Sequence, residues 1–296
     1  STLDLLLLGV SAWGGAAALQ ASAHRRARGG MVGGLVVSLL LPAVGLVAVV
    51  GLLAGGILPL GAPAAVALAL APAALAGVGI LLAEGPHQAP RTSSRRHVGG
   101  FAQTALIASM AYLGLTVVDR VILGFFVPLP DLAVYTLAAR LATVLAAGAL
   151  LLAPVVGPRF AGAFPRRPRE ALGVYLRATR WSQALALPGL ALILVLAPSL
   201  LEWGGGESYV QGASWLRFLA VGYAAVGLTG NNGLLLQMGG RETTEVRWAL
   251  VALAGNVVLD LALAPRWGAA GVAAATGGTL LLVSLGKAWS VHRLWG

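Results

Sequence analysis

Nine apolar stretches separated by short polar breaks make up most of the chain. They run from Leu3 to Gln20, Met31 to Leu53, Pro63 to Ala83, Val98 to Phe126, Leu132 to Val156, Trp181 to Leu201, Trp215 to Gln237, Arg247 to Ala264 and Ala269 to Trp289. Each is near the roughly 17 to 25 residues that a helix needs to cross hydrocarbon. The pattern therefore predicts an all-α integral membrane bundle of about nine transmembrane helices.

The breaks alternate in charge. His24 to Arg28 is basic, Ala54 to Gly61 is neutral and Arg91 to His97 is basic, while Asp131 follows on the opposite side. Arg159, Arg166, Arg167 and Arg169 make the next break basic, and Glu202 and Glu207 make the one after it acidic. Arg241 and Arg247 stand against Glu242 and Glu245, Arg266 falls in an outer loop, and Arg293 lies near the C-terminus. Because basic loops stay in the cytoplasm, the chain's N-terminus is expected outside and its C-terminus inside. An odd number of spans is required, which nine satisfies.

Composition agrees: 58% of residues are hydrophobic and 10% charged, against about a quarter charged in soluble domains. The net charge of +10 would suggest nucleic acid in a soluble protein. Here the arginines sit in the breaks, so they encode orientation and no nucleic-acid partner is expected. With nineteen Arg, one Lys and much Ala, Gly and Leu, the usage fits a GC-rich bacterial genome and hence a bacterial cytoplasmic (inner) membrane. The absence of cysteine excludes disulfides, thiolate metal sites and a Cys nucleophile. The four histidines, at 24, 87, 97 and 292, lack ligand spacing, so no metal site is expected. Forty-one glycines suit close helix approach in lipid, and Pro42, Pro72, Pro154, Pro188 and Pro198 are placed to bend spans.

The polar segment Glu84 to His97 divides the chain into a partial N-terminal lobe (1–83, three helices), a cytoplasmic linker (84–97) and a C-terminal six-helix lobe (98–296). Leu19-Gln20 and Leu236-Gln237, each followed by an arginine-bearing loop, give a faint echo of duplication.

From the fourth stretch onward an ordered series of short motifs appears. It comprises Asp119-Arg120-Val121-Ile122-Leu123-Gly124, Val134-Tyr135, Ala138-Ala139-Arg140-Leu141, Ala153-Pro154, Leu235 to Arg241, Asn256 to Pro265 and Gly268 to Thr276. Together they resemble the second lobe of lipid-linked oligosaccharide flippases, the Wzx-type polysaccharide exporters of the multidrug/oligosaccharidyl-lipid/polysaccharide (MOP) superfamily. The resemblance implies a MATE/MOP-like two-lobe fold with six helices per lobe, both termini cytoplasmic and a central cavity. Against it, the chain is expected to lack three leading helices, by truncation, a misplaced start or fragmentation. It implies no catalysis but translocation of a polyprenyl-pyrophosphate-linked oligosaccharide by alternating access. The implied partners are that substrate, membrane lipids and the polysaccharide polymerase and glycosyltransferases of cell-surface polysaccharide export. Asp260 departs from the resemblance, standing where an amide or an apolar residue is expected.

Ionisable groups in hydrocarbon cost about 2.5 to 3.5 kcal/mol on insertion scales, so each invites a functional explanation. Arg140 falls roughly four residues from the middle of its stretch, about 6 Å along the axis, deep for snorkelling. It is expected either to bind a pyrophosphate in a cavity or to pair with Asp119 or Asp260. Asp119 and Arg120 point about 100° apart, which makes Asp119 the ion-coupling or gating candidate and Arg120 a cavity or interfacial residue. Asn256 and Asp260, at i and i+4, share a face, as do Asn232 and Leu236. This brings amides and a carboxylate toward a polar seam, either a proton or sodium site or hydrogen bonds that hold the lobe together. The substrate-cavity candidates are thus Arg140, Asp119, Arg120, Asn232 and Asn256, and the ion-coupling candidates Asp119 and Asp260. Arg166, Arg167, Arg169, Arg177 and Arg180 form a basic collar that gathers lipid phosphates or simply sets orientation. Arg217 beside Trp215 is expected to anchor at the interface.

No cofactor is expected beyond a coupling H+ or Na+. Three other functions fit less of the pattern. A cation-coupled multidrug exporter predicts an arginine-poor cavity. A membrane glycosyltransferase needs a large carboxylate- or metal-bearing loop. A non-transporting scaffold fragment needs none of these residues.

Overall fold

The computed structural model describes residues 95–164 and 167–295, together with single helical positions between Leu41 and Gly79. The stretches expected at 3–20, 31–53 and 63–83 otherwise lie outside the described residues, as do the His24 to Arg28 loop, most of the linker, Pro165 and Arg166. The chain divides into two compact units, residues 1–92 and 93–296. The second unit is entirely helical among its described residues.

Its elements are α1 (Arg95–Leu123), α2 (Leu129–Thr143), a 3-10 turn (Val144–Ala146), α3 (Ala147–Ala163) and α4 (Pro168–Gly205). A 3-10 segment (Glu207–Gly212), α5 (Ala213–Thr229), α6 (Asn232–Met238) and α7 (Glu242–Trp295) follow. Start signals are local. Helix α2 opens at a Pro-Leu-Pro run with Asp131 in its first turn, and α4 opens at Pro168 with Glu170 in its first turn, where fixed φ and negative charge suit a helix N-terminus. Stops use glycines that accept a positive φ: Gly206 at 87° after α4 and Gly230 at 64° after α5.

Four helical stretches are long and apolar enough to cross a bilayer: 103–123, 129–163, 168–205 and 242–295. A fifth forms if the pair α5 and α6, bent by 43°, counts as one. Helix α7 is itself two limbs. Its 54 residues would extend about 80 Å, well over twice the hydrocarbon thickness of about 30 Å. At Gly268 the backbone leaves the helical region, with φ 53° and ψ −136°. Cross-limb contacts Gly271 with Leu263, Asn256 with Thr276, and Glu245 with Lys287 step outward from that break, so the limbs run antiparallel as a hairpin. Counting α2 with α3, α5 with α6 and the two limbs of α7 separately, the described residues of the second unit form six limbs.

Around α5, which packs on α2, α4 and α7, the interior is filled by alanine and leucine, while the outside is apolar. Trp203, Phe125, Leu129, Trp181, Leu282 and Val258 are all largely exposed. Such a surface is an aggregation hazard in water and the expected outer face of a bundle solvated by lipid. The second unit is a multi-pass membrane bundle. Glycines set its closest approaches: a Cβ at Gly222 would lie 2.5 Å from the Gly277 carbonyl oxygen, where only backbone fits.

Carbonyls released by helix breaks are capped by side chains. The last carbonyls of α5 take Ser182 Oγ on Gly227 (2.6 Å), Gln183 Nε2 on Leu228 (2.9 Å) and Tyr175 Oη on Thr229 (2.7 Å). Pro198 cannot donate to the carbonyl four residues earlier, and Arg217 Nε donates to that carbonyl of Leu194 at 3.0 Å. Arg217 therefore repairs a proline break as well as standing near Trp215. In hydrocarbon an orphaned carbonyl costs several kcal/mol, which explains why polar side chains are spent here.

Candidate functional site

Five polar side chains from four limbs converge in the interior. Asp119 comes from α1, Tyr135 from α2, Asn256 and Asp260 from the first limb of α7, and Thr276 from the second. Asp119 is 3% exposed, Thr276 2%, and Tyr135, Asn256 and Asp260 0%. Tyr135 Oη donates to Asp119 Oδ2 at 2.8 Å, and the Arg120 backbone N–H donates to Oδ1 at 2.7 Å. Asn256 Nδ2 donates to Thr276 Oγ1 at 3.2 Å and to Asp260 Oδ1 at 3.4 Å. Asp260 lies within electrostatic range of Asp119, and Tyr135 within range of both carboxylates.

Two acceptors in this cluster, Asn256 Oδ1 and Asp260 Oδ2, are buried without a hydrogen-bond donor. Buried polar atoms are almost always partnered, and these two oxygens could accept from a proton or a hard cation. The donor set is carboxylate, amide and hydroxyl oxygen, the chemistry of a hard cation rather than a transition metal. Among the described residues no group of three or more His, Asp or Glu is placed to hold a metal. Charge balance narrows the choice. The Arg120 guanidinium is within electrostatic range of Asp119, so two carboxylates against one arginine leave one negative charge. One Na+ or one H+ would neutralise it.

Asn232 does not join this cluster. Its Nδ2 reaches the Ser284 carbonyl at 3.3 Å, two turns and about 12 Å beyond Thr276 on the same limb. The expected seam of amides and a carboxylate thus holds Asn256 and Asp260 but leaves Asn232 farther along the hairpin. Tyr135 and Thr276 are the residues that sequence reasoning passed over. Neither is on the same helix limb as Asp119 or Asp260, and only the folded packing brings them in.

Arg140 is exposed and forms no ion pair with Asp119 or Asp260 among the described residues. This removes the pairing alternative. The span containing it runs from 129 to 163, longer at its far end than hydropathy suggested. Its centre falls near Ala146, about 9 Å from Arg140, and a long guanidinium side chain snorkels from that depth. Arg140 edges a recess of about 540 Å³ otherwise walled by Leu129, Leu132, Ala133, Thr136, Leu137, Gly204 and Tyr209.

A second recess, also about 540 Å³, lies between the end of α3 and the start of α4. Arg159, Arg167 and Arg177 line it with Glu170. Arg177 Nε donates to the Gly173 carbonyl at 3.3 Å, and Arg167 lies 3.7 Å from Glu170. Of the expected collar, Arg167 and Arg177 thus converge and recruit Arg159. Arg169 and Arg180 are exposed outside the recess, and Arg166 lies outside the described residues.

No protein-family model and no curated protein matches the chain. Solved structures do. A MATE protein in a bent conformation superposes with a TM-score of 0.65 at 18% identity, over 90% of this chain and 62% of its own length. An outward-facing multidrug resistance MATE family transporter of the MOP superfamily gives 0.62 at 15% identity, over 99% of this chain and 85% of its own. The lipid II flippase MurJ in an inward closed conformation gives 0.59 at 14% identity, over 89% and 56%. The chain spans about three-fifths of the MATE protein's length. These neighbours are transporters, and the chain has the fold of MOP-superfamily transporters.

Proposed function

We propose that the chain is the cation-binding portion of an ion-coupled transporter that moves a polyprenyl-pyrophosphate-linked oligosaccharide across the membrane by alternating access. The observation that carries the coupling half of this reading is the buried cluster of Asp119, Asn256, Asp260 and Thr276. One monovalent cation there ties α1 to both limbs of the α7 hairpin, so its binding favours whichever arrangement of limbs brings all four residues together. A ligand shifts a conformational equilibrium only by its differential affinity for the two states, and a site assembled from three separate limbs supplies that difference.

The substrate half rests on the arginines. Guanidinium groups bind phosphate and pyrophosphate through paired hydrogen bonds. The Arg159, Arg167 and Arg177 recess lies, on the charge alternation of the loops, at the cytoplasmic face, where a lipid-linked headgroup starts its journey. Arg140, at the mouth of an apolar recess, supplies the same pairing of cation and greasy wall farther along. On this reading Arg120, Arg169 and Arg180 add to the positive field that draws the headgroup in.

A multidrug exporter of the same superfamily is the second reading, favoured by the named activity of the MATE neighbour. One experiment separates the two. The protein is reconstituted in liposomes carrying either a fluorescent polyprenyl-pyrophosphate oligosaccharide or a cationic dye, with and without a Na+ or H+ gradient. Gradient-dependent movement of the lipid headgroup supports the flippase. Movement of the dye alone rejects it in favour of the exporter, and movement of neither rejects both.

A further inference from the structure

A second buried polar cluster lies on the same helices, well away from the first. Glu245 on the first limb of α7 is 2% exposed and Lys287 on the second is 5% exposed. Lys287 Nζ donates to Glu245 Oε1 at 2.7 Å, Tyr112 Oη of α1 donates to the same oxygen at 2.8 Å, and Nζ sits 4.5 Å above the Tyr112 ring. The other carboxylate oxygen, Oε2, is buried with no partner. Lys287 is eleven residues from Thr276, about 16 Å along the limb, so this is a separate centre.

Two features mark it as more than a structural ion pair. Lys287 is the chain's one lysine against nineteen arginines. A guanidinium at this position would engage both carboxylate oxygens through its fork; an ammonium engages one and leaves Oε2 open. The carboxylate also presses on the half-helix α6, where a Cβ at Gly233 would lie 2.6 Å from Oε1 and 2.9 Å from Oε2. A side chain at position 233 would push the carboxylate out of this arrangement.

We propose that Glu245 is a proton-binding site that controls whether this end of the lobe opens. A proton from solvent forms an O–H bond at Oε2, and the carboxylate loses its charge. The Lys287 ammonium is then a buried cation without a counter-charge, which is strongly unfavourable in packed surroundings. It is relieved when the limbs part and water reaches it. Protonation thus favours the open arrangement, and α6, packed on the carboxylate, is the element released. Among the described residues the titratable groups facing Glu245 are Tyr112 from α1 and Lys287 from the second limb, and α6 presents Gly233. On its own element Arg247 is exposed and Glu242, one turn earlier, is half-buried, and Arg241 just before the element is exposed.

The absence of cysteine makes the test direct. A single Gln237→Cys on α6 is labelled with a water-soluble maleimide in nanodiscs across a pH series, each rate being normalised to that of unfolded protein at the same pH. With one proton linked to opening, the normalised rate rises by up to tenfold per unit fall in pH. Glu245→Gln labels fast at every pH, Lys287→Arg labels slowly at every pH, and the parent's response persists in an Asp119→Asn background. An Asp119→Asn protein that loses the response would assign it to the cation site and overturn the proposal. So would a Glu245→Gln protein that keeps the parent's pH dependence. If Glu245→Gln fails to fold, the double variant Glu245→Gln, Lys287→Met removes both buried charges; a surviving pH response there is equally fatal.

Discussion

Two buried polar centres share α1 and the two limbs of α7, yet their charge accounts differ. The one around Asp119 and Asp260 holds two carboxylates whose hydrogen-bond donors are a phenol, an amide and a backbone N–H, with a single arginine in electrostatic range. The one around Glu245 holds one carboxylate and one ammonium in direct contact. The first is short of positive charge and has orphaned acceptor oxygens from two residues; the second is balanced and has one. Burial alone therefore does not define a coupling site. What distinguishes the centres is charge: two carboxylates against one arginine in the first, one carboxylate against one ammonium in the second.

The sharpest way to break this comparison is to remove a charge from each. Asp260→Asn deletes the carboxylate with the orphaned oxygen, and cation affinity should fall by more than about 100-fold, since an uncompensated change at a buried charge is worth about 3–5 kcal/mol and each 1.4 kcal/mol is tenfold. Isothermal titration with Na+, or proton-release measurements if H+ is the ligand, reads this. An unchanged affinity would remove Asp260 from the site.

At the balanced centre the single variant Lys287→Met should destabilise the protein by a similar amount, about 3–5 kcal/mol, because it strands Glu245. Adding Glu245→Gln should recover most of that loss. Chemical unfolding in detergent checks both. No such rescue exists for the first centre, where no matched partner can be deleted. Recovery of cation affinity in an Asp260→Asn, Asn256→Ala protein would erase the contrast.

These differences also mark where sequence stops being informative. Hydropathy located every limb of the C-terminal lobe and the turn between Ala264 and Ala269, because a span's length and its apolar character are local. It missed helix ends such as the start of α4 at Pro168 rather than Trp181, since an amphipathic turn outside the hydrocarbon is not greasy. Asp119 and Asp260 stood out as ionisable residues in apolar runs, and Asn256 as an i, i+4 neighbour. Tyr135 and Thr276 are ordinary membrane residues until the hairpin at Gly268 and the packing of α2 on α1 deliver them. Lys287 is a lone lysine in an arginine-rich chain, but nothing local in the sequence points to its partner 42 residues away.

A smaller effect sharpens the first centre. Thr276→Val keeps volume but removes an oxygen that accepts from Asn256. A neutral hydrogen bond is worth about 0.5–1.5 kcal/mol, so cation affinity should drop roughly three- to tenfold in the same titration. No change would mean that Thr276 only positions Asn256.

A paired test uses the tyrosine that each centre contains. Among the described residues Tyr135 is the only side-chain donor to Asp119 Oδ2, whereas Tyr112 shares Glu245 Oε1 with Lys287. Tyr135→Phe leaves a buried carboxylate oxygen bare, at about 1.5–3 kcal/mol for a bond to a charged group; Tyr112→Phe leaves the ion pair intact and should cost about 1 kcal/mol. A ligand that binds only the folded state stabilises it by mass action, so saturating coupling cation should restore part of the Tyr135→Phe loss and none of the Tyr112→Phe loss. Thermal unfolding of both variants, with and without the cation, decides it. Equal rescue of the two would mean that the centres form a single site, and the distinction between a cation pocket and a proton clasp would fall with it.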